Sequence, residues 1–111
     1  MCVDDSPEIL EICESILEAG GYQVFTARTG AEALELIKVH LVDAVVVDNV
    51  MPGMNGMVLA ERIKALTKDV LVVMYGSELN QNESFPGIDS CLYKGRGPLA
   101  LRALLDALLQ K

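Results

Sequence analysis

Asp4 and Asp5 close the apolar run "MCV", and Asp48 closes "DAVVVD" just before "MPGMNG" breaks the chain. Three valines leading straight into a carboxylate is a costly way to end a strand unless that carboxylate has work to do. If the three acids meet, they repel one another, and the arrangement costs stability until a cation neutralises it. A small set of hard oxygen ligands, with room left for water and phosphate, suits Mg²⁺ better than Ca²⁺. Helix capping by Asp5 would explain one of the three acids. It does not explain all of them.

Whether they meet depends on the elements that carry them. "SPEILEICESILEAGG" has a helix signature: Ser6 can cap, Pro7 suits the first helical position, and Ile9, Ile12, Cys13, Ile16 and Leu17 recur at helical spacing. "YQVFTA" (22–27) alternates as a strand does. "TGAEALELIKVH" reads as a second helix capped by Thr29, with Ala33, Leu34, Ile37 and Leu41 on one side. "DAVVVD" (43–48) and "VLVVMY" (70–75) are apolar throughout, as strands buried on both faces should be. A third helix runs through "MVLAERIKALT", "CLY" (91–93) is a short last strand, and "GPLALRALLDALLQ" closes as a helix from Pro98. Between the last two strands, "GSELNQNESFPGIDS" has little periodicity, so the fourth helix expected there is short.

Repeated strand–helix alternation predicts an α/β fold, a five-stranded parallel sheet with helices on both faces. Right-handed crossovers favour a doubly wound sheet in the flavodoxin-like order 2-1-3-4-5. In that order strands 1 and 3 are neighbours at the switch point, so Asp4, Asp5 and Asp48 converge at one crevice. The first strand is expected to be short, cut by the start of the chain.

Composition bounds the rest. The 111 residues are enough for one domain, spanning 1–111, which buries roughly 65% of its unfolded surface. The chain is 51% hydrophobic but only 5% aromatic, so the core must be aliphatic. Its apolar runs fall well short of the ~20 residues of a membrane span, and no signal peptide is recognisable. A cytoplasmic location is the expectation. The net charge of −7 argues against direct nucleic-acid binding, which calls for a basic patch. Cys2, Cys13 and Cys91 are isolated among apolar residues and read as buried thiols rather than metal ligands. His40, the single histidine, reads as a surface residue near a helix end.

Taken together, "VDDSPE", "VVVDNVMPGMNG" and "LYKG" resemble the receiver (response regulatory) domain of bacterial two-component response regulators, of the chemotaxis-regulator kind. The resemblance covers essentially the whole chain. It implies that Asp48 is the phosphoacceptor, whose carboxylate takes a phosphoryl group from a histidine kinase and becomes an acyl phosphate. It implies that Asp5 binds Mg²⁺ directly, that Asp4 acts through water, and that Val50 gives the metal its backbone carbonyl. Lys94 corresponds to the lysine that pairs with the phosphoryl group. The implied partners are a sensor histidine kinase or phosphotransfer protein, and a downstream protein or output domain. The chemistry would be limited to the domain's own phosphotransfer and dephosphorylation.

The match fails in one region. Family members usually carry Thr or Ser at the end of strand 4, where direct alignment puts Gly76, and a one-residue slip puts Ser77. The usual aromatic three residues before the lysine is replaced by Cys91, with Tyr93 two positions further on. Gly95 follows the lysine in place of the usual proline. These departures leave a second reading open, a receiver-shaped interaction module that works without phosphorylation. A stand-alone aspartyl phosphatase would want an acid two residues after Asp48, where Val50 stands. A flavodoxin-type FMN site would want hydroxyls where "DDSPE" lies.

Overall fold

A computed structural model describes residues 1–77 and 86–110. Five strands form one sheet: β1 (Cys2–Val3), β2 (Thr26–Ala27), β3 (Ala44–Val47), β4 (Leu71–Gly76) and β5 (Ser90–Tyr93). Their order is β2-β1-β3-β4-β5, and every pairing is parallel, as the alternation predicts. The helices of the described residues are α1 (Pro7–Ala19), α2 (Gly30–Val39), α3 (Gly56–Leu66) and α4 (Pro98–Leu108). The short helix expected between the last two strands would fall on 78–85, outside the described residues. No helix among the described residues is long and apolar enough to cross a membrane.

Each central strand is apolar on both faces because each face has its own core. Val45 and Val47 of β3, with Val72 and Met74 of β4, pack against Ala33 and Ile37 of α2 and Leu59 and Ile63 of α3. Val46, Val73 and Tyr75 point the other way, against Leu10, Cys13 and Leu17 of α1 and Leu101 and Leu105 of α4. This alternation is the period of two that a pleated strand imposes.

Local chemistry sets the helix starts. The Ser6 hydroxyl accepts from the Ile9 amide (3.4 Å), Thr29 from Glu32 (3.1 Å), and the Asn55 side chain from Val58 (2.9 Å). At the sheet's opposite end a clamp holds α3 to the last two strands. Lys64 Nζ donates to the Val70 carbonyl (2.7 Å) and pairs with Asp89 Oδ2 (2.8 Å), which also accepts from the Val72 amide (2.8 Å).

Four expectations need correcting. Ile12 is exposed, because the inward stripe of α1 runs through Leu10, Cys13 and Leu17 and its neighbour Ile12 is turned about 100° away. Leu41 is also exposed: α2 ends at Val39 and its cap His40 is extended, so helical spacing no longer applies. Strand β2 covers Thr26–Ala27 and not 22–27, since it pairs along β1, whose ladder is only Cys2 and Val3. His40 is exposed as expected, its ring stacked on Phe25 with centroids 4.2 Å apart. Cys2 and Cys13 are buried thiols, whereas Cys91 is only half-buried.

Candidate functional site

Lateral hydrogen bonds at the carboxyl ends of the strands bring the acids together. The Asp4 amide donates to the Ala27 carbonyl (3.1 Å) and the Asp48 amide to the Val3 carbonyl (3.0 Å). Asp4 and Asp48 therefore leave adjacent strands side by side, and both are buried, at 4% and 6% exposure. Asp5 is exposed. One carboxylate oxygen from each of Asp4, Asp5 and Asp48 lies within 4.8 Å of the others, the convergence that the topology predicts.

The chain folds tightly to keep this crevice open. A side chain at Gly56 would collide with the Asp48 carbonyl, so the turn after Asp48 can close back onto α3 only with glycine there. The Ser6 amide donates to Asp4 Oδ1 (2.9 Å), fixing one oxygen of that acid.

Lys94, at the start of a single 3₁₀ turn (Lys94–Arg96) after β5, supplies the local positive charge. Its Nζ lies 2.6 Å from Asp4 Oδ2 and 3.3 Å from Asp48 Oδ1. The contact with Asp4 is the shorter, a pairing that sequence reasoning missed because nothing in the spacing links residues 4 and 94. Burial pushes the Asp48 carboxyl above the ordinary range, and Asp4 pushes the same way; Lys94 and the Val50 amide oppose them. For Lys94, burial works against its charge, but Asp4 and Asp48 outweigh it and hold the ammonium above its usual value. The result is a crowded anionic crevice with one built-in counter-charge.

The remaining site residues lie around this group. Val50 is exposed, and its amide donates to the Asp48 side chain. Gly76 is buried at the end of β4, in register with Tyr93, while Ser77 is exposed just beyond the strand. Cys91 is in register with Met74 and packs against the α2–α3 core. The Tyr93 ring lies over Gly95, where any side chain would strike it. The displaced aromatic and the glycine after the lysine are thus one coupled feature: a proline at 95 could not coexist with Tyr93 as it lies. Sequence reasoning also missed Tyr75, whose hydroxyl donates to the Lys94 carbonyl (3.4 Å). The available signal was a lone phenol in an otherwise aliphatic strand.

The profile of the response regulator receiver domain matches residues 1–105. The response regulator GtcR of Aneurinibacillus migulanus is 27% identical over 100% of this chain and 47% of its own length. The response regulator SaeR of Staphylococcus aureus is 27% identical over 100% of this chain and 50% of its own. The chain thus spans about half the length of these curated relatives. Among solved structures, the response regulator TrrA of Thermotoga maritima, in complex with Mg²⁺-BeF, superposes with a TM-score of 0.87 at 28% identity, covering 96% of this chain and 95% of that one. A CheY-like receiver domain protein of Methanospirillum hungatei superposes at 0.90 and 28%, covering 98% and 90%. This chain belongs to the response regulator receiver domain family.

Proposed function

We propose that residues 1–111 form one receiver domain, in which Asp48 accepts a phosphoryl group from the phosphohistidine of a sensor kinase or phosphotransfer protein. The observation that carries this reading is a buried Asp48 carboxylate at the mouth of the crevice with the Lys94 ammonium 3.3 Å away. An Asp48 oxygen attacks phosphorus, the phosphorus–nitrogen bond of the donor breaks, and its electron pair returns to the imidazole. Little protein chemistry is needed beyond positioning and charge neutralisation. Lys94 moves its contact from the free carboxylate to the new phosphoryl oxygens and holds the product. Asp4, fixed by the Ser6 amide, and the exposed Asp5 keep their oxygens facing the same point.

The donor set fits Mg²⁺: three carboxylates whose oxygens converge within 4.8 Å, with Asp5 open to solvent. Asp5 and Asp48 would ligate it, Asp4 through water, and Val50 through its carbonyl. Bound there, the ion supplies positive charge to the oxygens of the incoming phosphoryl group. The TrrA relative, solved with Mg²⁺-BeF, supports the same choice.

Phosphorylation would add a charge of about −1.5 to −2 at the carboxyl end of the central strand, which a downstream protein or output domain would read. Chemistry of this kind belongs in the cytoplasm, where kinase donors meet their acceptors. A second reading, a partner-binding module that works without phosphorylation, is favoured by Gly76 and Cys91. Incubation with acetyl phosphate, followed by intact mass, separates the two. A single phosphoryl gain that Asp48→Ala abolishes is the expected result. Unmodified wild type favours the second reading, and a labelled Asp48→Ala chain defeats the site assignment.

A further inference from the structure

Lys94 leaves β5, yet its ammonium meets acids on β3 and β1, so its side chain must cross the end of β4. Two strand spacings, about 9.5 Å, separate β5 from β3. The lysine and aspartate side chains close that span between them, so a small error at the Lys94 backbone becomes a large one at Nζ. The backbone of Lys94 is held at a single atom from two sides. Its carbonyl accepts the Gly97 amide (3.0 Å), which closes the 3₁₀ turn, and the Tyr75 hydroxyl (3.4 Å), which comes from beneath the sheet. Tyr75 is only 5% exposed, and its ring is locked among Cys13, Leu10 and Leu101 in the α1–α4 core. Together with Asp4 and Asp48 it also walls a small cavity of about 10 Å³ under the crevice.

We propose that Tyr75 is a positioning residue for Lys94: its hydroxyl anchors the lysine's carbonyl to the rigid centre of the sheet, so that the ammonium is aimed at the phosphoryl site. The inference rests on the reading above, in which Lys94 meets the phosphoryl group. Phenylalanine at this position would fill the same space without the hydroxyl, so packing alone does not call for a phenol. The buried hydroxyl needs an acceptor, and the Lys94 carbonyl is the one it has. Burial pushes the phenol up to about 12, with Cys13 and Asp4 adding to the shift, so it keeps its proton and remains a donor throughout the neutral range.

The test is a double-mutant cycle on beryllofluoride binding in the presence of Mg²⁺, using the wild-type chain, Tyr75→Phe, Lys94→Ala and the double variant. Tyr75→Phe keeps the ring and removes only the hydroxyl. It is expected to weaken beryllofluoride binding about three- to tenfold, the range of one net hydrogen bond, and to change nothing further once Lys94 is alanine. A merely structural role would lower affinity by the same factor in both backgrounds, and that result overturns the proposal. So does Tyr75→Phe binding as tightly as wild type. Wild type that binds no beryllofluoride, or Lys94→Ala binding as well as wild type, defeats the underlying receiver reading and this proposal with it. Should Tyr75→Phe not fold, the wild-type chain carries the test by NMR. A protected Tyr75 hydroxyl proton in contact with residues 94–97 supports the anchor, and its absence overturns it.

Discussion

Asp48 and Lys94 show how one crevice sets charge against charge. Because burial and Asp4 raise the Asp48 carboxyl above its ordinary value, its ionised form is less favoured in the folded chain than in the unfolded one. A raised carboxyl contributes stability at pH below its unfolded value of about 3.9, and that contribution is lost as pH rises through the folded value. At neutral pH the ionised Asp48 is therefore a burden. Asp48→Asn should raise the unfolding midpoint at pH 7, by about 4 °C if the relief is ~1 kcal/mol, with the gain vanishing in acid. Thermal unfolding at several pH values checks this; a lowered midpoint at pH 7 would mean that the Lys94 contact outweighs the crowding. Asp5 behaves differently because it is exposed. Asp5→Asn should leave apo stability within about 0.5 kcal/mol yet weaken Mg²⁺ binding more than Asp4→Asn does. Calorimetric titration with Mg²⁺ decides it, and Asp5→Asn binding as tightly as wild type would contradict the ligand assignment. At this scale the acids were legible, since a carboxylate that ends a wholly apolar strand weakens the fold unless it serves a site. The Lys94–Asp4 contact was not, because it depends on how far a side chain reaches across the sheet.

Elements are held in place by less visible chemistry. Strand β3 was readable because burial on both faces leaves an uninterrupted apolar run, and β2 was overread because alternation continues beyond the stretch that finds a partner. The clamp of Lys64, Asp89 and the Val72 amide was invisible: its residues look like ordinary surface charges, far apart in sequence. Burial works to raise the Asp89 carboxyl, but the Lys64 contact and the Val72 amide outweigh it, leaving it below its usual value. A lowered carboxyl contributes stability above its unfolded value of about 3.9, and that contribution fades as pH falls through the folded value. Asp89→Ala should thus cost on the order of 1 kcal/mol at neutral pH, mostly from the stranded Val72 amide, since the ion pair itself is half-exposed. The difference from wild type should shrink below about pH 4. Urea unfolding at pH 7 and at pH 3 measures both; a cost that is independent of pH would show that Asp89 acts through the Val72 hydrogen bond alone and not through its charge.

For the whole molecule, the question is how far the proposed phosphoryl group on Asp48 would be felt. The acids and the lysine of the crevice are all present, whereas β4, β5 and the turn after them depart from the family pattern at Gly76, Cys91 and Gly95. Gly76 offers no hydroxyl to follow phosphoryl oxygens, and glycine itself has the widest backbone range of any residue. Cys91, in register with Met74, has no ring to swing inward, and the Tyr93 ring is engaged over Gly95. A switch moves only as far as the differential contacts of its two states drive it. With both customary contacts missing, the free-energy gap between the states should be small. Beryllofluoride with Mg²⁺ is therefore expected to shift the amides of 4–5, 48–50 and 94 strongly, and those of 76–77 and 86–93 only weakly. If Gly76 takes the hydroxyl position, Gly76→Thr restores a donor there and should enlarge the second set of shifts. If Ser77 is the residue that takes the hydroxyl role, Ser77→Ala should instead reduce what movement there is. Amide spectra with and without the mimic measure these outcomes. Large shifts through 86–93 in wild type, unchanged by Ser77→Ala, would mean that signal leaves the crevice by another route, such as the Tyr75–Lys94 link beneath the sheet.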